Sequence, residues 1–114
     1  MSDIDTLLRV KDLLEKGWTQ GQLAEDIEGD EVSVCSPRAT HFCLLGAVRR
    51  EAHEDYKRYE NLLYQNLKQL LDKPLSEYAE GRSTLADWND SSLRQKSDVI
   101  GLIDACIAHL SSTP

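Results

Sequence analysis

The sequence predicts a mostly α fold, a compact bundle of about four main helices plus one or two short ones, with at most a minor β-bridge. Three observations predict it. Apolar residues recur at helical spacing in segment after segment, the links between segments are short, and capping and stop residues punctuate them. With 40% apolar and 29% charged residues in a 114-residue chain, residues 1–114 read as a single all-helical domain with one small core.

The first helix is expected from Asp3 to Lys16, where Ile4, Leu7, Leu8 and Leu14 share a side opposite Asp12, Glu15 and Lys16. Gly17 then reads as a left-handed closing residue, and Thr19-Gln20-Gly21-Gln22 as a capping box opening a short second helix, with Trp18 at the junction. Residues 25 to 31 form an acidic loop with Gly29-Asp30, and the brief alternation of residues 31–34 allows one β-bridge. Ser36-Pro37 predicts the start of a central helix running to about His53, because serine caps free amides and proline suits a first turn. A fourth helix from about Asp55 to Asp72 presents Tyr56, Tyr59, Leu63, Leu67, Leu70 and Leu71 on one side and stops at Lys73-Pro74. One helical turn is expected between Leu75 and Glu80, broken by Gly81-Arg82-Ser83, and Asp87-Trp88-Asn89-Asp90 reads as turn-rich. The last helix is opened by a Ser92/Gln95 capping box and carries Val99, Ile100, Ile103, Cys106, Ile107 and Leu110.

Charge narrows the function classes. Acids outnumber bases 20 to 13 for a net charge of -7, which disfavours direct binding to a phosphate backbone. The longest apolar run, residues 42–48, is far below the roughly 20 residues that cross a bilayer, so no membrane partner is expected. Asp3 and Asp5 stand where a secretion signal would be cationic, and three cysteines do not suggest a disulfide framework; a cytoplasmic protein with reduced thiols is expected. Nine acids and three bases fall in residues 1–34. That polarity suggests a negative patch able to dock a basic surface on a protein partner, through Glu25, Asp26, Glu28, Asp30 and Glu31 with Trp18 beside them. Plain solubility explains the same charges equally well.

Three landmarks carry a family resemblance: Gly17-Trp18, Phe42-Cys43-Leu44-Leu45-Gly46-Ala47 and Trp88-Asn89-Asp90. Their order and spacing resemble a family of small bacterial and bacteriophage proteins, a domain of unknown function, over about residues 4–108. The resemblance implies a bacterial cell, or a host cytoplasm for a phage-encoded member, and it carries over no catalytic residue. Joined to the acidic polarity, it suggests an accessory role such as blocking a nucleic-acid-handling host defence complex.

Enzymatic readings are weaker. Cys35 precedes Ser36 at the expected helix start, where free amides favour a thiolate, and His41 is its nearest histidine, so Cys35 and His41 are the candidate catalytic or small-ligand pair. Cys43, among Phe42, Leu44 and Leu45, reads as an inert core thiol. No metal site is expected: Cys106 and His109 could share a helix face, but two ligands close nothing, and the acidic run lacks the glycine placement of a calcium loop. No cofactor is implied, since no glycine-rich phosphate loop is present. Arg49, Arg50, Lys57 and Arg58 are interleaved with acids and read as a salt-bridged face. Gly46 should allow close approach of a neighbouring helix, the last one being the expected neighbour. The apolar side of residues 56–71 offers a second, structural alternative, a self-associating helix seam whose register Asn66 would restrict, so a homodimer is possible.

Overall fold

Ser2 opens the first helix: its Oγ accepts from Asp5 N at 3.1 Å, and α1 spans Asp3–Lys16 with Leu7, Val10 and Leu14 fully buried. The computed structural model describes residues 2–70 and 83–112, so the stop expected at Lys73-Pro74, the turn expected between Leu75 and Glu80 and the first two residues of the expected break lie outside the described residues, while Ser83, the third residue of that break, is helical. Gly17 closes α1 by donating to Leu13 O at 3.0 Å, but in an extended conformation rather than the expected left-handed one. Glycine is needed there for room: a Cβ would collide with the Thr40 carbonyl and come within 2.9 Å of the His41 ring.

The expected short second helix does not form. Its place is taken by an irregular segment leading to strand β1 (Ala24–Glu25), which pairs antiparallel with β2 (His41–Phe42), Ala24 facing Phe42 and Glu25 facing His41. Single bridges widen this small sheet, a parallel one from Trp18 to Phe42 and an antiparallel one from Glu25 to Glu31. The latter is the minor bridge foreseen for residues 31–34. The capping-box glutamine has other partners, Gln22 Nε2 donating to Glu25 Oε2 at 2.6 Å and Gly29 O at 3.1 Å; beside it Gln20 Nε2 donates to the carbonyls of Asn89 and Ser91, both at 2.8 Å, and Gly21 sits at φ +86°.

The central helix is shorter than expected. Ser36 does cap, its Oγ accepting from Arg38 N at 3.1 Å, but it organises only a turn, because Arg50 Nη1 binds the carbonyls of Val34 and Ser36 at 2.8 and 3.0 Å and Phe42 is held in the sheet. Helix α2 therefore runs over Leu44–Ala52, with Cys43 as its N-cap. Gly46 does permit close approach, but of a strand-side carbonyl rather than the last helix: a Cβ would run into Leu23 O. A 3-10 turn at His53–Asp55 leads into α3 (Tyr56–Leu70), close to the expected fourth helix.

Asp87-Trp88-Asn89-Asp90 is helical, not a turn. It forms the end of α4 (Ser83–Asp90), whose Thr84, Leu85, Trp88 and Asn89 are buried at helical spacing. Helix α5 spans Lys96–Ser112, and its start is three residues later than the Ser92/Gln95 box implies, with Asp98 Oδ2 accepting from Gln95 N at 2.9 Å. Helix α1 packs against α2 and α5, and α3 against the same two. The fold is thus mostly α, with a two-stranded sheet at one end of the helices. Ion pairs tie the helices at their edges: Arg9 to Glu51 at 3.0 Å, Lys11 to Asp104 at 2.8 Å and Arg58 to Asp3 at 2.8 Å.

Candidate functional site

The sheet end of the molecule gathers the three landmarks at one point. Asn89, 0% exposed, accepts with Oδ1 from Trp18 Nε1 at 2.8 Å and from Leu44 N, the first amide of α2, at 3.1 Å. Its Nδ2 donates to Thr19 O at 3.2 Å and Asp90 Oδ1 at 2.9 Å. Both ends of one amide are therefore engaged, which is what a fully buried polar group needs to avoid a penalty of about 1–3 kcal/mol per missing bond. Main-chain bonds add to these: Phe42 N donates to Gly17 O and Thr19 N to Phe42 O, both at 3.0 Å. Trp18 thus anchors its loop, while Trp88, under the Arg94 guanidinium at 4.2 Å, has a buried indole N–H that meets no hydrogen-bond partner among the described residues.

Cys43 is part of this node. Its Sγ accepts from Gly46 N at 3.3 Å while its own N donates to Leu23 O at 3.2 Å, and burial pushes the thiol pKa up. The Cys-x-x-Gly spacing thus serves as an N-cap whose third helical residue must lack a Cβ. Cys106 is likewise buried, its pKa pushed up to about 11 by desolvation.

The acidic loop lies beside the node. Asp26, only 3% exposed, is the residue that shapes it: Oδ1 accepts from Glu28 N and Asp30 N, both at 3.0 Å, and Oδ2 from Arg38 Nη2 at 3.0 Å. Main-chain bonds from Asp26 N to Asp30 O at 2.9 Å and from Gly29 N to Asp26 O at 3.0 Å close the turn, with Gly29 at φ +88°. Glu25 Oε2 accepts from Gln22 Nε2 at 2.6 Å. Of the five sequence-selected acids, Glu28, Asp30 and Glu31 stand exposed, and Ile27 projects among them at 79% exposure. Asp26 and Glu25 are engaged in building the loop. In the sequence Asp26 reads as one acid among five; the signal for its role is an Asp three residues before Gly, the pattern of a side chain that folds its own turn.

Two adjoining hollows open between this loop and the helices. One, of about 480 Å³, lies between residues 31–34 and Arg49; the other, of about 220 Å³, lies between Gly21, Gln22, Cys43 and the Ala86/Asp90 side of α4. Leu23 and Glu31 border both.

Cys35 and His41 are not organised as the sequence suggests. Cys35 is exposed in a turn, its N donating to Ser33 Oγ at 3.2 Å, so no helix amides face its thiol. His41 is in β2, with Nδ1 2.9 Å from Thr40 Oγ1. Cys106 is buried and His109 exposed, and among the described residues no three His, Cys, Asp or Glu side chains stand as a metal-ligand group. Neither does any described helix have the length and apolarity to cross a membrane. Of the four basic residues, Arg49 pairs with Glu60 at 3.3 Å and Arg58 with Asp3 and Asp55, whereas Arg50 binds the carbonyls of Val34 and Ser36. On the apolar side of α3, Tyr59, Leu63 and Leu67 are buried in the core, Tyr56 is half-buried and Leu70 is exposed, while Leu71 lies outside the described residues; Asn66 Nδ2 donates to Leu62 O at 2.9 Å.

Residues 1–109 match a family of unknown function, DUF6197. The chain belongs to that family. No curated protein and no solved structure matches it. In this member of DUF6197 the node around Asn89, the Asp26 loop and the hollows between them lie within the matched span. The expected membership in an uncharacterised family is thus met, and the matched span covers all three landmarks.

Proposed function

We propose that this protein acts by binding another protein rather than by catalysis, using the loop of residues 27–31 to dock on a basic surface. The observation that carries the reading is the Asp26 latch. A buried carboxylate with three hydrogen bonds holds a turn whose outer side presents Ile27 at 79% exposure among the carboxylates of Glu28, Asp30 and Glu31. A preordered loop loses little conformational entropy on docking, an exposed apolar side chain ringed by charge suits a small anchor, and negative charge steers a basic partner. Blocking a nucleic-acid-handling surface is the concrete version of this role, because such surfaces are basic.

The test is capture from a cell lysate at low and high salt by the wild-type chain and by the Glu28→Gln/Asp30→Asn variant. Asp26 is left intact, so the loop keeps its shape. The expected result is a protein retained by the wild type, released by salt and lost by the variant. Equal retention by both chains overturns the reading.

A further inference from the structure

The smaller hollow has the chemistry of a receptor for one cationic side chain. Its lining combines the apolar residues Leu23, Leu45 and Ala86 with two acids, Glu31 and Asp90, both of which are exposed. Asp90 is held in place, since Oδ1 accepts from Gly21 N at 3.0 Å and from Asn89 Nδ2 at 2.9 Å. Glu31 is exposed, and no basic side chain among the described residues forms an ion pair with it. Arg49, the cation nearest in the adjoining hollow, is directed to Glu60 at 3.3 Å and lies 4.9 Å from the centre of the Tyr56 ring. The volume of about 220 Å³ falls below the roughly 300–1,000 Å³ of pockets that enclose drug-sized ligands and cofactors. It suits a single long side chain entering from outside.

Resting on the docking reading above, we propose that this hollow receives an arginine side chain of the basic partner. The aliphatic stem lies on Leu23, Leu45 and Ala86, and the guanidinium meets the carboxylates of Glu31 and Asp90. Arginine fits better than lysine. Its planar fork can donate to two carboxylates at once, and its weaker hydration lowers the cost of leaving water. Long basic side chains commonly cover apolar surface with their stems while the charge stays at the rim. Charge complementarity therefore selects the occupant, and the fixed Asp90 carboxylate gives it a defined direction of entry.

The experiment is a titration of the full-length ¹⁵N-labelled chain with the peptide acetyl-Leu-Arg-Leu-amide, read by amide chemical shifts, with the citrulline peptide as a neutral isostere. Saturable shifts are expected at Gly21, Gln22, Leu23, Glu31 and Ala86. The citrulline peptide and the Glu31→Gln variant should each weaken binding about tenfold, the size of one lost charge-assisted bond. Absence of saturable shifts at these amides overturns the proposal, as does equal binding of the citrulline peptide. The Glu28→Gln/Asp30→Asn chain separates the two readings. Arginine-peptide binding that persists in it, beside lysate capture identical to wild type, removes the loop as the docking element and leaves the hollow standing. Lysate capture lost in it, with no arginine-peptide binding to the wild type, does the reverse.

Discussion

Trp18 and Asn89, 71 residues apart in the chain, are joined by a 2.8 Å hydrogen bond from the indole to the amide oxygen. The same oxygen caps the first amide of α2. One side chain thus fixes the loop after α1, the start of α2 and the end of α4 together.

Replacing Asn89 by leucine should therefore be among the most damaging single changes in the protein. It orphans Leu44 N, the Trp18 indole and Thr19 O, and at about 1–3 kcal/mol per buried group left unpaired the loss should reach roughly 3 kcal/mol or more. Urea denaturation measures it. A loss under about 1 kcal/mol would mean that water or a repacked neighbour replaces the amide.

Two helical glycines should respond to alanine with opposite signs. Gly101 in α5 has nothing within 4 Å of an added Cβ, so Gly101→Ala should stabilise by about 0.5–1 kcal/mol through helix propensity. Gly46 faces Leu23 O, so Gly46→Ala must move the β1 side and should destabilise despite the same propensity gain. Thermal melts of the two variants decide it.

Thiol labelling should find one fast cysteine in the native protein. Cys35 is exposed, whereas Cys43 and Cys106 are buried with pKa values pushed up, and a buried neutral thiol reacts slowly. Ellman's reagent should report one reactive thiol before denaturation and three after. Cys35→Ala should abolish the fast phase.

Acid should loosen the contact between α1 and α3. The Arg58 guanidinium, and secondly the Tyr59 hydroxyl, hold the Asp3 carboxyl below its usual value of 3.8. A depressed folded pKa means that this contribution is present above the unfolded value and lost as pH falls through the folded one. Asp3→Asn should flatten the acid limb of stability against pH while changing stability at neutral pH by about 1 kcal/mol or less, the usual worth of a partly exposed pair.

The Asp26 latch should be visible in amide exchange. Asp26→Ala removes the acceptor of Glu28 N and Asp30 N, so both amides should exchange faster by an order of magnitude or more, as expected for about 1.4 kcal/mol of lost protection. Arg38→Ala, which leaves Oδ1 in place, should change them little.

The elements legible in the sequence are those whose order is local. Helices α1, α3 and α5 each carry one apolar stripe of their own. The stretch from Trp18 to Cys43 was not legible because its partners are distant: the Gln20 amide binds α4 and the loop after it, and Phe42 pairs with Ala24. Those tertiary bonds override the helix signals at Thr19 and Ser36. Helix α4 was hidden because Asp-Trp-Asn-Asp carries turn chemistry, and only burial of Trp88 and Asn89 on one face makes it helical. At the candidate site, the acidic character was readable from composition. The division between an acid that builds the loop and acids that face outward required the hydrogen bonds of Asp26.

The position of Asn89 late in the chain sets an order for folding during synthesis. A nascent chain extended only as far as α2 carries the Trp18 indole and the Leu44 amide before the residue that satisfies both has been added. The emerging fragment is expected to wait with an open end, closing only when α4 arrives, so stalled chains ending before residue 89 should be cut by protease near Trp18 whereas released full-length chains resist.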